Sequence, residues 1–490
     1  MKKIVSYTLC GLFSSLLANG QTSQDALRYS ESAYLGTARV ASMGGSFGAL
    51  GADASAIGIN PAGLAIYRRS ELSFTPSVVL RNNETSFFGN SMSDSKYNFN
   101  IGQMGLVLAA KPTNADQHGW RALNFSITYN RLANYNSKSS YSGFNPSNSM
   151  LDYFIQNANT GKGTQAQNLD PFFENLAYQT YLINPIDSVD TTHYYSEIPF
   201  GGVLQRKNTG TSGSMNEFLA SLAGNYKDRL YLGASLGYQV LSFTENTSYQ
   251  EVDQEDSIAN FRSFVFDQRV NTEGAGAYLR IGMLYKPADW VKLGGSIQTP
   301  TLFKMEDTYR STMKSDLDTT GTHDFTADGA YKYEFSSPLK ATASIGFLMG
   351  KQACVNIDYE TLNYSEARFS SAGDAFFDTN NAIDATYRST STIRLGAEYR
   401  WDNLSFRGGY FMSGSPFKQG IAQPGFDFSS KGFAAGIGIR DDHYFLDLGY
   451  TCRYTDTYYR SYSLMQEAVE GAKTHVTNQQ FIVTLGYKFL

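Results

Sequence analysis

From about Glu71 to the C-terminus the chain alternates apolar and polar residues, which puts one set of side chains on each face of an extended strand. Phe481, Val483, Leu485, Tyr487 and Phe489 share one face against Gln480, Thr484, Gly486 and Lys488, with Ile482 the exception. Leu123, Phe125, Ile127 and Tyr129 oppose Asn124, Ser126, Thr128 and Asn130 in the same way, as Ile393, Leu395, Ala397 and Tyr399 oppose Arg394, Gly396, Glu398 and Arg400. Such segments lie near 71–81, 98–110, 121–132, 214–227, 229–246, 274–287, 290–303, 334–349, 352–366, 387–400, 403–413, 430–440, 443–455 and 477–490. They number about fourteen, and an even count suits a closed single-chain membrane barrel. A soluble sandwich alternates too, so the connections decide. Tight turns fall at Lys227-Asp228-Arg229, Pro287-Ala288-Asp289, Gly350-Lys351-Gln352, Trp401-Asp402 and Asp441-Asp442, and longer polar stretches fall between them. That parity belongs to a barrel inserted from one side. The predicted fold is all-β: a transmembrane antiparallel β-barrel over 70–490, placed in the cell outer membrane among its lipid.

Two regions break the strand pattern. Residues 133–213 read as a long extracellular insertion in which Leu151, Phe154, Ile155, Phe172, Phe173, Leu176 and Leu182 recur at spacings of short amphipathic helices. Residues 21–69 are rich in Ala, Gly and Ser, with Asp53 placed to cap a turn over 54–57 and Asn60 to cap another that starts at Pro61. A barrel this wide is not filled by wall side chains alone. A compact, nearly uncharged segment before the first strand is therefore expected to fold back as an N-terminal lumenal hatch of short helices.

The N-terminus supports export. Lys2 and Lys3 precede an apolar run from Ile4 to Leu17 and then Ala18-Asn19-Gly20, the layout of a signal peptide over 1–20. No later apolar stretch reaches the roughly 18 residues that a membrane helix needs. With 34 Tyr, 33 Phe and 45 Gly against 17% charged residues, the composition favours strands and interfacial aromatics. A net charge of −5 without a basic run gives nucleic acid no footprint. Past the signal peptide only Cys354 and Cys452 remain, read as two independent small apolar side chains.

The stretch from Gly36-Thr37-Ala38-Arg39 through Asp53-Ala54-Ser55 to Asn60-Pro61-Ala62-Gly63-Leu64 resembles the hatch of the FadL family of outer-membrane transporters for long-chain fatty acids and aromatic hydrocarbons. Tyr285-Lys286-Pro287-Ala288-Asp289-Trp290-Val291-Lys292-Leu293-Gly294 with Thr299-Pro300-Thr301, and Ser337-Pro338-Leu339, look like its strand-turn-strand signature. The resemblance covers most of the mature chain and least of all 133–213. It implies a barrel of 14 strands with a lumenal hatch, passive uptake of a hydrophobic small-molecule ligand, and lateral release through a wall gap near a kinked strand. Asn60, Pro61, Ala62 and Gly63 would then hold the hatch near that gap. The third strand, 121–132, is the candidate for the kink, although it carries no Pro or bulge signal.

Leu151, Phe154, Phe172, Phe173 and Leu176 are candidates for a substrate-capture groove. Packing of the same loop onto itself and the barrel rim would also explain them, and is the simpler reading. The five histidines are scattered without metal-ligand spacing, and no nucleophile or phosphate-loop motif occurs. Neither an enzyme, a metal nor another cofactor is expected. Arg280, Arg394, Arg400, Arg407 and Arg440 fall on polar faces, where acids such as Glu398 would pair with them. A monomer carrying hydrophobic compounds is the leading reading; a barrel component or cargo carrier of a protein secretion system is the alternative.

Overall fold

The computed structural model describes residues 21–31, 36–111, 119–420 and 427–489. The proposed signal peptide, 1–20, lies outside the described residues. A closed antiparallel barrel of 14 strands organises the rest. Its strands are β1 (Ser70–Phe87), β2 (Asn90–Ala110), β3 (Trp120–Asn134, continued by Ser137–Asn145), β4 (Val203–Tyr226), β5 (Leu230–Val252), β6 (Ser263–Ala288) and β7 (Val291–Gln298 and Leu302–Leu317). Then follow β8 (Gly321–Ser336 and Lys340–Met349), β9 (Ala353–Asn363 and Arg368–Ser370), β10 (Ser389–Trp401), β11 (Leu404–Ser413), β12 (Ser430–Arg440), β13 (Tyr444–Tyr459) and β14 (Ala472–Phe489). β14 closes the ring on β1, from Ser70↔Phe489 to Ser86↔Lys473.

The alternation sorts as a lipid-facing wall demands. Leu123, Phe125 and Ile127 are exposed outward while Asn124, Ser126, Thr128 and Asn130 are buried inward, the reverse of a soluble domain. Trp120, Tyr285, Trp290, Tyr399, Trp401, Tyr444 and Tyr487 are exposed at the end with short turns, where amphipathic rings gird a membrane interface. Ile482, out of phase in the sequence, is 1% exposed and packs inward on Ala38 and Ala41.

Three features depart from the sequence reading. The polar stretches expected as long loops after β1, β5 and β7 continue the strands past the apolar belt as hairpins; the first turns at Phe88-Gly89, both with positive φ. The strands also run into both ends of the 133–213 insertion, leaving 146–202 as its irregular part. Finally, β7 and β8 are interrupted side by side at Thr299-Pro300-Thr301 and Ser337-Pro338-Leu339. Each proline lacks the N–H that a ladder needs, and the flanking groups pair with each other instead: the Thr301 N–H donates to Ser337 Oγ (2.9 Å), and the Ser337 N–H to the Thr301 carbonyl (3.1 Å).

Five α-helices lie among the described residues, α1 (Ser23–Ser30) and α2 (Ala38–Ser42) before the barrel, α3 (Met150–Ala158) and α4 (Glu174–Gln179) in the insertion, and α5 (Phe377–Thr386) between β9 and β10, together with a 3-10 helix over Pro61–Ile66. None is long and apolar enough to cross a membrane. Cys354 and Cys452 are buried, unpaired thiols.

Candidate lumenal site and wall opening

The lumenal segment is fixed by its caps and by the wall. Asn60 caps the turn Pro61–Ile66: its Oδ1 accepts from the Ala62 N–H (3.1 Å), while its Nδ2 donates to the carbonyls of Gly48 (2.9 Å) and Met283 in β6 (3.1 Å). One side chain thus folds the hatch and moors it. Asp53 Oδ1 accepts from the Ser55 N–H (3.1 Å) and from Thr37 Oγ1 (2.8 Å), tying the start of the segment to its middle. Asp358 in β9 accepts from the Phe47 N–H (2.8 Å), and Asn124 in β3 donates to the Leu64 and Tyr67 carbonyls (both 2.9 Å).

Glycines on the inner wall let the hatch approach this closely. A Cβ at Gly282 would lie 2.0 Å from Asn60 Oδ1, and one at Gly233 would lie 2.5 Å from the carbonyl carbon of Pro61. Gly294, Gly396, Gly409 and Gly436 abut Gly48, Met43, Gly44 and Ser42 in the same manner. Within the hatch, a Cβ on Gly63 would stand 2.9 Å from Gly51 Cα.

Opposite the Asn60 mooring, Arg39 grips Glu398 with two hydrogen bonds (2.8 and 2.7 Å). Arg407 bridges Glu398 (2.6 Å) to Asp447 (2.7 Å), and Arg440 completes the row on Asp447 (2.7 Å). Burial opposes the charge on Arg39, but the carboxylate outweighs it and holds the guanidinium above its usual pKa. Arg394 is likewise inward, on Glu360 (3.0 Å), and Arg280 lies 3.9 Å from Glu217. Arg400 is the correction: still paired with Ser405 at the last rung but one before the turn, it is exposed at the barrel rim and donates to the Asp402 carbonyl instead of pairing with an acid in the lumen.

Above the hatch, α1 stands in the lumen. Ala26 and Tyr29 join Leu132, Met215, Leu241, Phe303, Met305 and Phe335 in an apolar cluster. Beside it, at the breaks in β7 and β8, a cavity of about 20 Å³ is lined by Tyr29, Leu132, Met215, Arg280, Thr301, Pro338 and Leu362. In this state it has room for little beyond water.

The insertion closes the outer mouth. Leu151, Phe154 and Leu176 are buried at 1% exposure or less, in a cluster with the buried wall residues Phe264, Phe266, Met313 and Leu317. Phe173 packs at the edge of that cluster, and half-buried Phe172 meets Tyr309 edge-on at 4.7 Å. Three of the five candidate capture residues, Leu151, Phe154 and Leu176, are therefore the interior of a cap, with Phe172 and Phe173 at its edge. An open groove lined by all of them is not what the structure shows, because the apolar faces of α3 and α4 are satisfied by each other and by the rim.

Between β2 and β3 the wall has a seam of a different kind. The β2–β3 ladder runs only from Gln103↔Asn130 to Ala110↔Leu123. Beyond Gln103, β2 stays paired with β1, whereas β3 shifts register between Arg131 and Ala133 and continues against β4. Bonds that each involve a side chain span the separation: Asn134 Nδ2 to Asn98 Oδ1 (2.9 Å), Asn90 Nδ2 to the Ser142 carbonyl (3.1 Å), Lys138 to Asp94 (3.1 Å), and Ser140 to Asp94. Tyr97 and Phe99, each 71% exposed, flank it. The shift near Arg131 had no proline or glycine to announce it.

A barrel whose lumen holds a moored N-terminal segment, with apolar clusters above it and an unladdered seam in its wall, defines a hatch-bearing membrane barrel. No family model and no curated protein matches the sequence. Among solved structures the chain is similar to a Pseudomonas aeruginosa FadL homologue (TM-score 0.57, 13% identity, covering 93% of this chain and 98% of that one). It is also similar to the toluene transporters TodX of P. putida (0.54, 13%, 92% and 98%) and TbuX of Ralstonia pickettii (0.50, 15%, 93% and 98%). These likenesses establish the fold: this chain has the FadL-type barrel.

Proposed function

We propose that the chain is a monomeric outer-membrane channel for passive uptake of hydrophobic small molecules, long-chain fatty acids or aromatic hydrocarbons, with the 21–69 segment as its plug and lateral release through the β2–β3 seam. The seam carries this reading. An apolar solute that reaches the upper lumen meets the close-packed, moored hatch below it, while the side exit between β2 and β3 leads to the lipid-facing belt at Met104, Ile127 and Tyr129. Leaving sideways spares the solute an aqueous step that costs about 25 cal/mol per Å² of apolar surface. The fold shared with transporters named for toluene supports the same solute class. Ligand admission requires the cap formed around Leu151, Phe154 and Leu176 to part, with Phe172 and Phe173 at its edge as first contacts.

Asn98→Cys with Asn134→Cys, bridged by a short thiol-reactive linker, tests the route; the native thiols at Cys354 and Cys452 are buried and do not compete. Uptake of a labelled fatty acid or toluene should fall at least tenfold on bridging and recover on cleavage of the linker. Undiminished uptake in the bridged protein would exclude lateral release at this seam.

A further inference from the structure

At the outer end of the seam, a shallow cleft of about 500 Å³ runs across the strands above the apolar belt, lined by Lys96 of β2, Lys138 of β3, Arg269 of β6 and Arg310 of β7, with Asn208, Asn246 and Asp267 between them. Four cations gather here on a chain whose net charge is −5. Two are partly answered: Lys138 by Asp94 (3.1 Å) and Arg310 by Asp328 (2.6 and 3.1 Å). Among the described residues neither Lys96 nor Arg269 is in an ion pair, and Asp267 is the one acid in the lining. Arg269 and Arg310 sit directly opposite each other on the outward face of the β6–β7 ladder. Like charges so placed repel, and an anion seated between them would relieve the repulsion.

We propose that this cleft binds the phosphorylated sugars of an outer-leaflet glycolipid, seating one such lipid at the upper lip of the β2–β3 seam. Height selects this occupant. On β6 the outward face turns polar beyond Ala275, which pairs with exposed Val240, and at ordinary strand rise and tilt the distance from Ala275 to Arg269 is a climb of roughly 15 Å. A phospholipid head-group layer extends only about 5–8 Å beyond the hydrocarbon, so its phosphate falls short. A glycolipid that carries phosphate on sugars stacked above its acyl chains reaches the cations while its chains lie against the belt. The guanidinium of Arg269 presents a planar fork to a phosphate, and Lys96 supplies a mobile point charge on the other side.

The inference rests on the outer-membrane placement proposed above, which density-gradient fractionation of membranes tests separately. The purified full chain in detergent is titrated, with native mass spectrometry as the readout, against lipopolysaccharide bearing core phosphates, the same material after enzymatic dephosphorylation, phosphatidylglycerol, and inorganic phosphate as a competitor. The phosphorylated glycolipid should bind at least tenfold more tightly than the other two lipids, and more weakly as salt rises. Lys96→Gln with Arg269→Gln should abolish at least nine-tenths of that preference. Both side chains are exposed, so folding should persist, as checked by heat-modifiable gel migration; uptake of the hydrophobic solute, read in parallel, separates loss of this site from failure of the channel itself. Equal binding of the dephosphorylated lipid, equal binding by the variant, or full displacement by millimolar inorganic phosphate would each overturn the proposal.

Discussion

Gly282 and Asn60 make the clearest pair at the scale of single residues. In the sequence, Gly282 is one more small residue on an alternating strand, and nothing marks it as the place where Asn60 reaches the wall. The Asn-Pro pair was legible because it is a cap followed by a first-turn proline, and it does form that turn. Its second task, donating to Met283, depends on a partner over two hundred positions away, which spacing cannot reveal. Gly282→Ala should push Asn60 off its mooring at a cost of about 1–3 kcal/mol, whereas Gly408→Ala, with open space around its Cβ, should be neutral. Hydrogen exchange across residues 38–66 should accelerate roughly tenfold per 1.4 kcal/mol lost in the first variant, and unchanged exchange there would show that the bare wall at Gly282 does not hold the hatch. Ile482 teaches the same lesson from the other direction: the exception to the alternation was the residue that touches the hatch.

Among elements, the outer cap shows where periodicity succeeds and where it stops. The helical spacing around Leu151 and Phe154 appears as α3, with Ser149 and Asp152 forming its capping box. Phe172 and Phe173 instead precede α4, because Asp170 draws the backbone into a turn by accepting from the Phe172 N–H (2.8 Å). The polar hairpins of β5–β6 and β7–β8 were illegible as strands, since outside the membrane no apolar face is required of them. The cap should also respond to pH. Burial raises the pKa of Asp152 to about 6, with the Ser149 N–H opposing the shift and Glu467 adding to it. A folded-state value above that of the unfolded chain means that the folded cap binds more protons, so its stability is greatest below about pH 4 and declines as pH rises toward 6. Exchange in α3, corrected for the intrinsic rate, should speed up across that interval, and Asp152→Asn should flatten the trend. Leu151→Ala should open the cap outright, with a loss of about 2–5 kcal/mol visible as early proteolysis within 146–202.

For the molecule as a whole, the barrel was legible because lipid outside and water inside impose period two on every strand. The seam was not, because the end of a ladder is a relation between two strands and leaves no mark on either. Deleting residues 21–69 should raise single-channel conductance in planar bilayers severalfold, and a conductance equal to that of the intact chain would rule out the plug.

Thr484, in the last strand, has a consequence for biogenesis. Its hydroxyl accepts the Ala38 N–H of the lumenal segment (2.7 Å) and bonds with Thr75 of the first strand (2.9 Å), so three parts of the chain made at opposite times meet at one oxygen. The N-terminal segment is synthesised first yet cannot be fully clasped until the final strand arrives. The clasp on the lumenal segment is therefore completed only when β14 pairs with β1, which couples the seating of that segment to the closure of the ring.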